Sequence, residues 1–194
     1  MPLSKMPRYK EFLQHLRGLL PEAKVSHSIF VAEYFSTFAD LLEVDHDAAV
    51  TAGLLHDSFR VAAPEELLDK AREYGLPVEE EQRAHPILLH GPVAAEYGQR
   101  VLGVSDPAVY EAIYWHTTGK SQLGKLGQGL YVADFSEPLR SYDEAAEVRE
   151  WVRKGSFGKA ILRAAEAKAG FASQEGGASV EATAFLEWLR MEYA

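Results

Sequence analysis

The stretch AGLLHDSFR, residues 52–60, sets His56 and Asp57 side by side directly after a run of small and apolar residues. Burying an ionised carboxylate without a partner costs several kcal/mol, so this pair requires either partners or a polar cavity. Further polar residues of the same chemistry recur along the chain. His27 opens the apolar series Phe30, Val31, Tyr34, Phe35, Phe38, Leu41 and Leu42, and His90, His116 and Asp134 fall at expected helix entrances or on inward faces. Imidazole nitrogen and carboxylate oxygen together are the donor set of Fe, Mn, Co or Zn. Six such ligands exceed what one catalytic ion takes while keeping an open position, so two neighbouring ions are expected. A carboxylate at Asp57 could bridge them.

The elements that must position these groups read as helices throughout. Apolar residues recur at steps of three and four, and no run alternates as a half-buried strand would. A first helix spans about residues 7–20 on this reading, with Pro21 at its end and His15 at its boundary. Asp45 or Asp47 caps a helix on which Ala48, Ala52, His56 and Phe59 share a face. The segment from Pro64 to Gly75 reads as a short helix and a surface excursion. His90 stands just before Gly91 and Pro92 at a helix entrance, and Asp106 with Pro107 starts the helix that leads to His116. Leu123, Leu126, Leu130 and Ala133 trace an inward stripe that Asp134 joins. Two or three amphipathic helices follow Tyr142, with SQEGGAS at 173–179 as a connection. His46 and His85 read as non-ligands. Glu137 either supports the ligands or caps the next turn.

Composition removes several function classes. Hydrophobic residues at 47% and charged residues at 25% indicate one globular domain. A net charge of -9, from 29 acidic and 20 basic residues, disfavours a broad grip on long nucleic acid. An anionic substrate would need local positive charge. No apolar run approaches the ~18 residues of a membrane span, and the first residues lack a signal-peptide core, so a cytoplasmic protein is expected. The absence of cysteine excludes disulfides and thiolate ligands. TTGKS at 117–121 is not a nucleotide-binding phosphate loop, because Tyr114 stands where the first glycine is needed, and no HExxH pair is present.

The stretches SHSIFVAEYF, AGLLHDSFR, LLHGPVAAEYG, AIYWHTTGK and LYVADFSEPLR, in that order, resemble the HD-domain phosphohydrolases. Within them the resemblance is to the YqeK-like symmetrical diadenosine tetraphosphate hydrolases, over about residues 24–142 and more weakly to about 171. It implies an all-α HD-domain helical bundle with a dinuclear centre, most often iron, with manganese or cobalt as substitutes. It also implies His27, His56, Asp57 and Asp134 around one ion and His90 and His116 at the other. Arg60 and Lys120 occupy positions expected to touch phosphate, with Thr117 and Arg140 as further substrate contacts. Two spellings depart from the family: DSFR after the His-Asp pair, and LRSYDEAAEV, which lacks the usual Phe-Pro-Gly.

The expected domain plan is a phosphohydrolase over 1–171, with 172–194 a linker and helix of unassigned role packed on it. The expected reaction is cleavage of diadenosine tetraphosphate to two ADP by a metal-bound hydroxide, with Asp57, Arg60 and Lys120 as catalytic residues. The expected partner is a small nucleotide, and a homodimer is allowed. Two rivals stand beside this reading: an HD phosphohydrolase acting on a mononucleotide or cyclic nucleotide, and a catalytically silent nucleotide-binding protein.

Overall fold

The structure is a computed structural model that describes residue 3, residues 6–174 and residues 179–193. Among them are eleven α-helices and no strand. The helices are α1 (Tyr9–Leu19), α2 (Glu22–Phe38), α3 (His46–Leu55), α4 (Pro64–Tyr74), α5 (Glu80–Ala84), α6 (His90–Arg100), α7 (Pro107–Trp115), α8 (Lys125–Ser136), α9 (Asp143–Arg153), α10 (Phe157–Gln174) and α11 (Val180–Tyr193). None of the described helices is long and apolar enough to cross a membrane.

The arrangement centres on α8, which packs against α2, α3, α7, α9 and α10. Leu123, Leu126, Leu130 and Ala133 are buried as their spacing predicts, but so is every residue from Leu126 to Ala133. The expected single stripe is therefore a helix enclosed on all sides, as a helix with neighbours around its full circumference must be. Around it, α2 packs on α3, α6 on α7, and α9 on α10.

The α2–α3 crossing is tight because Gly53 carries no side chain. A Cβ there would lie 2.6 Å from the Cα of Ala32. Close backbone approach sets the register between His27 on α2 and His56 at the end of α3.

Local signals act as read at several ends. Asp45 accepts from the Ala48 N–H and Asp106 from the Ala108 N–H, each satisfying a donor left free at a helix start. Gly75 ends α4 in the left-handed region at φ 72. Other expectations change. The stripe from His27 ends at Phe38, because the chain tightens into a 3-10 turn at Asp40–Leu42. That turn has three residues per turn, so Leu42 stays buried while Leu41 is 41% exposed. Helix α3 also stops at Leu55, leaving His56 as its C-cap and Asp57 in the turn beyond.

Two segments are better anchored than their composition suggests. Helix α4 is no surface excursion: it buries Leu67, Ala71 and Tyr74 and packs on α6 and the 3-10 turn Pro86–Leu89. At the other end of the chain, α10 runs on through Ser173 and Gln174, into the stretch whose composition predicts a connection. Residues 175–178 of that connection lie outside the described residues. Helix α11 starts where Ser179 Oγ accepts from the Ala182 N–H at 3.0 Å. It buries Phe185 and Leu189, sets Phe185 against Tyr131 at 5.1 Å between ring centroids, and brings the Tyr193 hydroxyl to Gln128 at 2.7 Å.

Candidate metal centre

Three of the histidines use one local device. Each stands at a helix end and donates its Nδ1–H to the carbonyl three residues earlier: His56 to Gly53 at 2.8 Å, His90 to Ile87 at 2.5 Å and His116 to Ile113 at 2.7 Å. Tying Nδ1–H in this way fixes the tautomer and leaves the Nε2 lone pair free to bind an ion. His27 is held differently, its Nδ1 lying 3.4 Å from Glu137 Oε1. The same Glu137 carboxylate accepts from the Leu139 N–H at 2.6 Å through its other oxygen, so this residue both orients a ligand and shapes the turn.

The free Nε2 atoms converge on Asp57. Oδ1 of Asp57 is 3.3 Å from His90 Nε2, 3.6 Å from His116 Nε2 and 3.8 Å from His56 Nε2, while Oδ2 lies 3.9 Å from His27 Nε2. Two triads result, His27–His56–Asp57 and Asp57–His90–His116, within each of which the candidate ligand atoms lie within 4.8 Å of one another. Asp134 joins the first through Oδ1, 3.2 Å from His27 Nε2 and 3.7 Å from His56 Nε2.

These residues fit a metal on two observations. His56 Nε2 is fully buried and makes no hydrogen bond, an orphan that native interiors rarely tolerate. In the second triad, the Nε2 atoms of His90 and His116 are 3.0 Å apart although both Nδ1 atoms are tied to carbonyls. Two lone pairs aimed at each other repel unless a proton or cation lies between them. Ligands about 2.1 Å from one ion and at right angles are about 3.0 Å apart. The donor set therefore fits a metal, with all donors nitrogen or oxygen.

The electrostatics agree. Burial alone would raise the Asp57 carboxyl, but the facing imidazoles of His56, His116 and His90 outweigh it and hold Asp57 well below the carboxylate range. Asp134 behaves alike, its burial overcome by Lys168, His27 and His56. Burial pushes His116 down to about 4, keeping its imidazole neutral. The burial of His56 is outweighed by Asp57 and Asp134, which raise it.

The triads open onto a cavity of about 660 Å³, within the range of small-molecule sites. Its walls include Lys24, Arg60, Arg140 and Lys168 as well as Glu80, Glu81 and His85. Arg60 is exposed, and its guanidinium makes no hydrogen bond or ion pair among the described residues. Arg140 lies 3.2 Å from Asp134 and 3.7 Å from Glu137, so most of its charge is already matched. Thr117 Oγ1 stands 3.2 Å from the Nε2 atoms of both His90 and His116, at the edge of the second triad.

Lys120 is not brought to the site. It does not line the cavity, and its Nζ pairs with Glu111 at 2.7 Å. The reason is Gly119, whose φ of 70 turns the chain away immediately after Thr117 and Thr118. The reading from sequence also missed Lys168 and Lys24. Lys24 stands one helical turn before His27, a spacing that could have indicated it; Lys168 lies outside the clear resemblance, and its one signal is the spacing Ala165, Lys168, Ala169, Ala172 along α10. His46 bonds to Ser36 and Asp40 and takes no part in the site.

Comparison with known proteins places this arrangement among relatives. Residues 25–169 match the HD domain family. The symmetrical bis(5'-nucleosyl)-tetraphosphatase of Staphylococcus aureus is 32% identical over 143 residues, covering 73% of this chain and 73% of that one. The protein of the same name from Bacillus subtilis is 30% identical over 141 residues, covering 73% of this chain and 75% of that one. A solved structure described as a predicted HD superfamily hydrolase involved in NAD metabolism, from Clostridium acetobutylicum, superposes with a TM-score of 0.90 at 26% identity, covering 96% of this chain and 99% of that chain.

Proposed function

The chain belongs to the HD domain family, and from that premise we propose that it hydrolyses diadenosine tetraphosphate and related dinucleoside polyphosphates symmetrically, giving two ADP from the former. Its class is metal-dependent phosphohydrolase. The observation that carries the reading is the pair of triads sharing Asp57, opening on a cavity lined by Lys24, Arg60, Arg140 and Lys168 in a chain of net charge -9. The carboxylates Asp57, Glu80, Glu81 and Asp134 in the same lining balance these four cations, and metal ions held by the triads would make the cavity positive, which favours a polyphosphate.

In this reading His27, His56, Asp57 and Asp134 hold one ion and Asp57, His90 and His116 the other, and both ions are iron, for which manganese or cobalt can substitute. What such ions supply when bound is a water whose pKa falls from roughly 15.7 to about 7, and neutralisation of phosphoryl oxygens. The remaining work belongs to the protein. Asp57 keeps its charge through the surrounding imidazoles, and the carbonyls of Gly53, Ile87 and Ile113 hold three imidazoles in one tautomer. Glu137 orients the fourth. Arg60 offers an unpaired bidentate fork to phosphate oxygens, which a lysine cannot.

The test incubates metal-reconstituted protein with diadenosine tetraphosphate and separates products by chromatography, with Asp57→Asn as control. Two ADP as sole products, absent in the control, are expected. An intact substrate beside hydrolysis of other nucleotides would leave the metal centre standing and overturn the substrate assignment. Bound nucleotide without turnover under any metal would favour the silent rival.

A further inference from the structure

The face of α10 that lines the cavity carries Ala165, Lys168, Ala169 and Ala172 at helical spacing, so one long cation projects among small residues. Lys168 spans the two halves of the centre. Its Nζ lies 3.4 Å from Asp134 Oδ2, on the first triad's side, and 3.3 Å from the carbonyl oxygen of His116, a ligand of the second. The ring of Tyr131 supports the ammonium 3.9 Å from its centroid.

Both hydrogen bonds are long. Charge-assisted bonds of an ammonium are usually about 2.7–2.9 Å, so this half-buried cation is held loosely and retains donor capacity. Its counter-charge is also shared: Asp134 Oδ1 faces His27, His56 and Arg140, and the same carboxylate is a candidate metal ligand. An ion on Asp134 draws on the negative charge that Lys168 leans on. A desolvated ammonium then needs a second anion, and the cavity is the side from which one can come.

We propose that Lys168 is a catalytic residue of this site, donating to a non-bridging oxygen of the polyphosphate beside the metal centre. It takes the part that the family resemblance led one to expect of Lys120. This inference rests on the reading of the cavity as a polyphosphate site, but does not depend on which dinucleotide is cleaved.

The experiment compares wild type, Lys168→Met and Lys168→Arg as metal-reconstituted full chains, reading metal content, melting temperature, and affinity for ADP and for adenosine by calorimetry. In Lys168→Met, ADP affinity is expected to fall at least about tenfold while adenosine affinity and metal content stay within about twofold; Lys168→Arg is expected to recover part of the loss. Unchanged ADP affinity would overturn the proposal. So would loss of metal in step with loss of ADP, because Lys168 would then act only by positioning Asp134. A melting temperature lowered in Lys168→Met moves the comparison to Lys168→Gln, which keeps a polar side chain and removes the charge; wild-type metal content with weakened ADP binding supports the contact, and unchanged binding overturns it. If diadenosine tetraphosphate proves not to be cleaved while Lys168→Met still loses ADP affinity, the substrate assignment fails and the role of Lys168 stands.

Discussion

The Nε2 atoms of His90 and His116 face each other at 3.0 Å, each on a ring whose Nδ1–H is already committed to a backbone carbonyl. Two Nε2 atoms turned toward one point in this way are placed as two nitrogen ligands of one cation would be. Replacing either residue by alanine should empty the Asp57–His90–His116 triad and spare the other. Metal analysis should then show about half the wild-type content, whereas Asp57→Asn, which touches both triads, should lose more. Full metal content in His116→Ala would count against two separate ions.

Metal affinity should depend on pH through His56 and not through His116. A histidine must be neutral to bind an ion. Burial keeps His116 neutral down to about 4, whereas Asp57 and Asp134 raise His56 above 6.5 despite its burial. In the metal-free protein His56 therefore holds a proton at pH values below its raised pKa, and binding must expel it. Affinity should fall by up to about tenfold per pH unit as pH drops below that value, with proton release. Calorimetric metal titrations at two pH values, each in buffers of different ionisation enthalpy, read both quantities; pH-independent affinity would remove His56 from the ligand set.

Arg60 and Lys120, both expected from the family resemblance to touch phosphate, part company in the structure. Arg60 lines the cavity unpaired, so Arg60→Ala should lose a charge-assisted contact of about 1.5–3 kcal/mol, roughly 10- to 150-fold in kcat/KM. Lys120 is paired with Glu111 outside the cavity. A half-exposed surface pair of this kind contributes about 0–1 kcal/mol, and Lys120→Ala should change kcat/KM by less than about twofold. Steady-state kinetics of the two variants decide the order; a larger loss at Lys120 would reverse it.

Gly53→Ala tests the helix crossing that sets His27 against His56. The added methyl would lie 2.6 Å from the Ala32 Cα, a backbone atom that cannot swing aside. Overpacking of this kind costs about 1–3 kcal/mol, which at this size lowers the melting temperature by about 2–12 °C. Thermal denaturation measures it. Because α2 and α3 must separate, metal content should fall in the same variant, and an unchanged melting temperature would mean that the crossing is looser than the contact implies.

The sequence alone indicated the helical class and the candidate ligands. Both are local matters: a 3.6-residue period identifies inward positions, and a histidine at a helix end finds its carbonyl partner three residues back, as His56, His90 and His116 do. Capping at Asp45 and Asp106 and the stop at Gly75 are equally local. Only the tertiary structure decided that Asp57 is shared between two triads, that α8 is enclosed all round, and that α11 closes on Tyr131 and Gln128. It also chose the cations, admitting Lys168 and Lys24 to the cavity and turning Lys120 toward Glu111. The physical reason is that periodicity specifies which face of a helix is buried and says nothing of what lies opposite. A long charged side chain takes its partner from the helices packed around it, and a single backbone turn at Gly119 is enough to redirect it.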